Sequence, residues 1–177
     1  MLELITGGSG SGKSEYAEKR AMELCGDGEP LIYLAAMKPY GEDAQKRIER
    51  HRKLRKGKGF KTIEKYTDYA NLRLPENATV LLECMSNLLA NEMFDAGGAF
   101  IDRIITGVGH LANSSKNLVI VTNDVFSDGV SYDEETEQYI QALSEINKHL
   151  ADKAERVVEV VYSIPCIIRG EQLACEL

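Results

Sequence analysis

Leu2-Glu3-Leu4-Ile5-Thr6-Gly7-Gly8-Ser9-Gly10-Ser11-Gly12-Lys13-Ser14 is the most informative stretch of this chain. Leu2 to Thr6 is a short apolar run ending in glycines, the pattern of a buried strand. Gly7, then four residues, then Gly12-Lys13-Ser14 reproduce the Walker A spacing. Each part has a physical task. Glycines let backbone N–H groups curl around an anion where a Cβ would collide. A helix starting near Gly12 turns the positive end of its dipole toward phosphate. Lys13 reaches the β- and γ-phosphates as a point charge, and the Ser14 hydroxyl is offered to Mg2+. Gly7, Gly8, Ser9, Gly10, Ser11, Gly12, Lys13 and Ser14 are therefore the expected triphosphate site.

The flanking sequence supplies the setting. Ser14 to Cys25, rich in Ala, Glu, Lys, Met and Leu, predicts a helix, closed by Gly26-Asp27-Gly28. Leu31 to Ala36 reads as a second strand, Glu42 to Lys56 as a basic helix, and Phe60 to Glu64 as a short strand. Thr79 to Glu83 and Asn117 to Thr122 read as buried strands, with helices over Met85 to Phe94 and Phe100 to Ala112 between them. Ser131 and Glu134 predict a capping box for a helix running to about Ala154. Arg156 to Tyr162 reads as a further strand. Alternating strands and helices mean a parallel sheet covered on both faces. The expected fold is α/β, P-loop NTPase-like, with three α/β/α layers and a mainly parallel sheet. One nucleotide-binding domain is expected over residues 1–177.

A chain of 177 residues, 44% of them hydrophobic, can bury a sizeable core. A formal charge of -7 argues against general attraction to nucleic acid or anionic membrane. No apolar run of about 18 residues occurs, so no membrane span is expected. Met1 to Thr6 lacks the basic region and cleavage site of a secretory signal. Cys25, Cys84, Cys166 and Cys175 form no CxxC pair, and no His lies at zinc-finger spacing from them. They read as buried or idle thiols in a reducing cytoplasm.

Two further segments carry chemistry. Val80-Leu81-Leu82-Glu83 ends a buried strand in a carboxylate. Glu83 is thus expected at the C-terminal edge of the sheet, where α/β proteins bind ligands, holding Mg2+ together with Ser14. Lys46, Arg47, Arg50, Arg52, Lys53, Arg55, Lys56, Lys58 and Lys61 place nine of the 21 Lys and Arg residues within sixteen positions. Such clustering in an acidic chain suits a phosphate-rich ligand. A soluble basic helix is the plainer alternative, and without interleaved aromatic residues the run is a poor nucleic-acid groove. His51 lies inside it. Neighbouring cations favour a neutral imidazole, which is a nucleophile, although position alone leaves that role open. His110 and His149 read as structural or exposed.

Taken together, the segments resemble the bifunctional adenosylcobinamide kinase / adenosylcobinamide-phosphate guanylyltransferase family of cobalamin biosynthesis, from about Met1 to Ile164. The residues that carry the resemblance are Thr6-Gly7-Gly8 and Ser11-Gly12-Lys13-Ser14; Tyr33-Leu34-Ala35; Arg47-Ile48-Glu49-Arg50-His51-Arg52; Thr62-Ile63-Glu64; Leu81-Leu82-Glu83-Cys84; Asn91; Val121-Thr122-Asn123-Asp124-Val125; and Asn147. The resemblance implies a transferase that phosphorylates the hydroxyl of adenosylcobinamide. It then moves GMP from GTP to that phosphate through a histidine, which here is His51. It also implies nucleotide contacts at Ala35, Ala36, Arg52, Lys53, Leu54, Arg55, Glu64 and Glu83. ATP or GTP with Mg2+, a corrinoid acceptor and a homotrimer with sites between subunits complete what it implies.

The chain departs from the family at Gly10, where Arg is usual, and at Phe60, where Trp is usual. It departs again over Phe126-Ser127-Asp128-Gly129-Val130-Ser131, where the usual pattern is glycine, any residue, glycine and then Ile-Val-Pro. Tyr139-Ile140-Gln141 replaces Phe-Arg-Asp, and Ser144 replaces a glycine. Two other readings remain open on these residues. One is a plain P-loop small-molecule kinase that uses Lys13, Ser14 and Glu83 without His51. The other is a divergent nucleotide-binding module that has lost one or both activities.

Overall fold

The computed structural model describes residues 1–96, 98–125, 129–130 and 132–171. Its elements run β1 (Leu2–Thr6), α1 (Lys13–Leu24), β2 (Leu31–Ala35), α2 (Gly41–Arg55), β3 (Lys61–Glu64), a 3-10 turn (Tyr69–Asn71), β4 (Thr79–Glu83) and α3 (Met85–Asn91). A π-helical turn (Glu92–Ala96), α4 (Phe100–Ser114), β5 (Asn117–Val121), α5 (Glu134–Lys153), β6 (Arg156–Val161) and β7 (Ile164–Arg169) follow. The strands form one sheet in the order β3-β2-β4-β5-β1-β6-β7. All neighbouring pairs are parallel except β6 and β7. Among the described residues, no helix is long and apolar enough to cross a membrane.

The sheet is covered on both faces because its central strands are apolar at nearly every position. Side chains alternate between faces along a strand, so two cores result. Leu4, Ile32, Leu34, Val80, Leu82 and Ile120 face a cluster with Leu88, Ile104, Leu111 and Leu143, contributed by α3, α4 and α5. Ile5, Tyr33, Leu81, Val119, Val121 and Val158 face Ala17 and Ala21 of α1. On α4, the buried Ile104, Val108 and Leu111 recur at helical spacing. In contrast, α2 buries only Arg55. It is no part of either apolar layer and is fastened by polar contacts.

Three expectations need correction. Asp133, not Ser131, caps α5, its side chain accepting the Thr136 N–H at 2.8 Å. Asp133 is extended and stands directly before the helix, where its carboxylate reaches the third helical amide. Ser131 itself lies outside the described residues, as do Phe126, Ser127, Asp128 and Cys175. The helix expected through Phe94 is α-helical only to Asn91 and then widens into the π-helical turn. Finally, β7 was not foreseen. A two-residue turn with positive φ at both Tyr162 (51°) and Ser163 (63°) reverses the chain into it. That is the geometry of a type I′ hairpin, here made without its usual Asn or Gly.

At the N-terminal end of β1, Glu3 is fully buried. It accepts from Arg20 Nη2 at 3.0 Å and faces Arg156 Nε at 3.2 Å, tying α1 and β6 to β1. Glu3→Gln leaves two buried guanidinium groups short of countercharge. We expect a loss of about 1–3 kcal/mol, read from urea unfolding, with nucleotide affinity retained because Glu3 lies at the other end of the strand from the glycine loop. An unchanged unfolding midpoint would contradict this account of the network.

Candidate active site

β1 delivers the glycine loop onto the C-terminal edge of the sheet. The loop passes so close to β6 that a Cβ on Gly7 would lie 2.6 Å from the Val160 carbonyl oxygen, and φ there is +150°. At Gly12, φ is +92° and a Cβ would lie 2.5 Å from Ser163 Oγ. Ser163 also donates its N–H to the Ser11 carbonyl at 2.7 Å. The β6–β7 turn therefore buttresses the loop, a role no sequence motif announces. Gly7→Ala is expected to weaken triphosphate binding about tenfold or more, since strain of roughly 1–3 kcal/mol must be relieved by moving the loop. Titration with a fluorescent triphosphate measures this; wild-type affinity would show that the loop tolerates the shift.

α1 opens at Lys13, and no side chain caps its first amides, which leaves them to an anion. Lys13 Nζ donates to the Gly8 carbonyl at 2.8 Å. Burial pushes its amine below the usual lysine range, against the opposing pull of Cys84 and Glu83. The Ser14 hydroxyl donates to Glu83 Oε1. Side by side, these two oxygen donors suit a hard divalent cation such as Mg2+. Glu83 is buried at the end of β4, and its Oε2 accepts from the Tyr33 hydroxyl at 3.0 Å. Burial, then the Glu83 charge, hold the Tyr33 phenol well above its ordinary range. Phe60 packs edge-on against Tyr33, with ring centres 6.1 Å apart.

His51 Nδ1 comes to 3.8 Å from Glu83 Oε1. This alters the expected surroundings of the imidazole. Two of the cations near it in sequence have partners of their own: Arg52 donates to Glu64 at 2.7 Å, and Arg55 stacks 3.4 Å over the Tyr33 ring. Lys58, beyond the helix, donates to Glu18 at 2.5 Å. The group that faces the His51 ring across this gap is a carboxylate, carried there by β4 and not by the helix itself.

The loop, β2, β4 and α2 enclose a cavity of roughly 920 Å³. Ser9 to Ser14, Ala35, His51, Arg52, Leu54, Arg55, Glu64 and Glu83 all line it. Ala36 does not; it is fully buried in the core. Lys53 lies instead in a shallower adjoining pocket with Lys56, Gly57 and Phe60. Sequence reasoning missed Asn123 and Ser163 as lining residues. Asn123 donates to Ser86 Oγ at 2.6 Å, and Tyr139 donates to the Ser86 carbonyl at 3.0 Å. Burial pushes the Tyr139 phenol up to about 12. Tyr139 thus ties α5 to α3 next to the cavity wall. His110 is structural, its Nε2 donating to the Leu72 carbonyl at 2.8 Å.

Comparison with known proteins fits this geometry. A family model described as cobinamide kinase / cobinamide phosphate guanyltransferase matches residues 3–168. The chain is 29% identical over 181 residues to the bifunctional adenosylcobalamin biosynthesis protein CobU of Escherichia coli (strain K12), covering 93% of this chain and 97% of that protein. It is 27% identical over 180 residues to the bifunctional adenosylcobalamin biosynthesis protein CobP of Pseudomonas aeruginosa, covering 98% and 100% respectively. Among solved structures, a KaiC-like protein from Pyrococcus horikoshii OT3 superposes with a TM-score of 0.51. That match covers 89% of this chain and 69% of the other at 13% identity, a likeness of fold alone. The family match runs from β1 into β7 and takes in the whole sheet together with its ligand edge, so the chain belongs to the cobinamide kinase / cobinamide phosphate guanyltransferase family.

Proposed function

We propose that this protein is a bifunctional cytoplasmic transferase of cobalamin biosynthesis. It phosphorylates the hydroxyl of adenosylcobinamide and then transfers GMP from GTP to the phosphate so formed, with His51 as the covalent carrier. The observation that carries this reading is the meeting of His51 with Glu83, whose carboxylate is bonded to Ser14 of the glycine loop. Nucleophile and phosphate cradle thus open into one cavity.

In the kinase step, the loop amides and Lys13 hold the triphosphate tail and stabilise charge as the γ-phosphoryl group moves to the acceptor hydroxyl. Ser14 and Glu83 would hold Mg2+, which would supply neutralisation of the phosphate charge. In the second reaction, an imidazole nitrogen of His51 attacks the α-phosphorus of GTP. The N–P bond forms, the α–β P–O bond breaks, and its electron pair leaves on pyrophosphate. A phosphate oxygen of the acceptor then attacks the same phosphorus, breaking the P–N bond and freeing His51. A difficult transfer between two anionic phosphates is thereby divided into two easier steps. Assembly as a homotrimer belongs to the same reading; the 64% exposed Ile164 and Ile168 of β7 are apolar surface that it would cover.

Incubating the protein with adenosylcobinamide, ATP, Mg2+ and α-labelled GTP tests the proposal. The expected results are a phosphorylated and then a guanylylated corrinoid, and a labelled protein whose bond is acid-labile and alkali-stable. Phosphorylation without labelled protein or guanylylated product would leave a plain kinase; triphosphate binding with no product would leave an inactive module.

A further inference from the structure

Glu18 enters no step described so far, yet it occupies a conspicuous place. It stands on α1 one turn after Ser14, so the two side chains share a face of the helix. Its side chain is only 1% exposed. One carboxylate oxygen, Oε2, accepts from Lys58 Nζ at 2.5 Å. The other, Oε1, is buried with no hydrogen-bond partner, and so is Nδ1 of His51. One donor atom from each of Glu18, His51 and Glu83 lies within 4.8 Å of the other two. The oxygens of Glu83 are already engaged, by Ser14 and Tyr33. Glu18 therefore has the accepting oxygen with no other bond to give up.

We infer that Glu18 is the positioning residue for His51: it accepts the ring N–H in the reacting complex and so aims the opposite nitrogen's lone pair at the α-phosphorus. The inference rests on the reading of His51 as the GMP carrier. As the N–P bond forms and pyrophosphate departs with the electron pair of the broken P–O bond, the ring keeps its other N–H and gains positive charge. The Glu18 carboxylate faces that charge. A carboxylate behind a reacting imidazole fixes its tautomer and orientation in the same way in other nucleophilic sites. Lys58 follows α2 in the chain, so the carboxylate that orients the ring also fastens the helix that carries it. Such a tie matters for α2, which buries only Arg55.

Glu18→Gln keeps the side-chain volume and removes the charge. In single-turnover reactions with α-labelled GTP and Mg2+, the variant is expected to form the His51 adduct about 10–100-fold more slowly than the wild type. Its triphosphate affinity and its ATP-dependent phosphorylation of adenosylcobinamide should stay near wild type. Lys58→Gln removes the tether but keeps the carboxylate, and is expected to slow adduct formation less. Equal slowing in the two variants would mean that Glu18 serves only to anchor α2, and would overturn the inference. So would a parallel loss of the kinase step and of thermal stability in Glu18→Gln. Restoration of that variant by excess Mg2+ or Mn2+ would make Glu18 a cation ligand instead. Adduct formation at the wild-type rate in Glu18→Gln overturns the role of Glu18 alone, whereas no adduct in the wild type overturns the carrier reading and this inference with it.

Discussion

His51→Ala is expected to abolish the covalent GMP adduct while triphosphate still binds at the glycine loop. The imidazole nitrogen is the atom that would form the bond to phosphorus, and a methyl group has no lone pair to offer. Removing a nucleophile that acts in a unit costs on the order of 10³-fold or more in rate. Binding should survive because the loop amides, Lys13 and the open first turn of α1 lie on other elements than the helix that bears His51. The kinase step should also survive, since on the proposed reading it would draw on Lys13, Ser14 and Glu83. Intact mass after incubation with GTP and Mg2+ reads the outcome directly. The wild type should gain one GMP and the variant none; equal gain in both would move the nucleophile to another residue.

Lys13→Ala is expected to impair both reactions. The ammonium is partly buried beside Glu83 and Cys84, and desolvation holds its pKa down. On the proposed reading a triphosphate tail would supply countercharge at that point, and the contact would be charge-assisted and poorly screened. Losing it should cost about 1.5–3 kcal/mol of binding, roughly a 10- to 150-fold rise in Kd. Turnover should fall further, because charge on the moving phosphoryl group and on the departing pyrophosphate grows in the transition states. Calorimetric titration with a non-hydrolysable triphosphate, run beside both activity assays, checks the two parts. Wild-type affinity and turnover together would remove Lys13 from the site.

Most strands could be read locally. Leu2–Thr6, Leu31–Ala35, Thr79–Glu83 and Asn117–Val121 are apolar at most positions because the sheet buries both of their faces. Continuous burial of this kind leaves a mark that any short window detects. β7 leaves none: most of its residues are exposed, and its turn uses Tyr162 and Ser163, which carry no turn signal. The cap of α5 was misplaced for a different reason. Ser131 and Asp133 are both good capping types, and only the backbone path settles which side chain reaches the Thr136 amide.

The sequence by itself determined the glycine loop, since Gly7 and Gly12 adopt backbone angles that side-chain-bearing residues resist and Lys13 and Ser14 follow at fixed spacing. It also determined the alternation of strands and helices, and it put His51 and Glu83 forward as chemically significant residues. Folding decided what those residues meet. It took Arg52 to Glu64, Arg55 to Tyr33 and Lys58 to Glu18, and set the imidazole against Glu83. It placed Ser163 under the glycine loop, and it turned Glu18, an unremarked helix residue in sequence, toward the imidazole. The physical reason is range. Backbone angles and side-chain periods are local properties, fixed within a turn or a strand. Which helix face meets which strand end depends instead on the packing of the whole sheet and on a few polar ties that hold α2, and no local pattern encodes those.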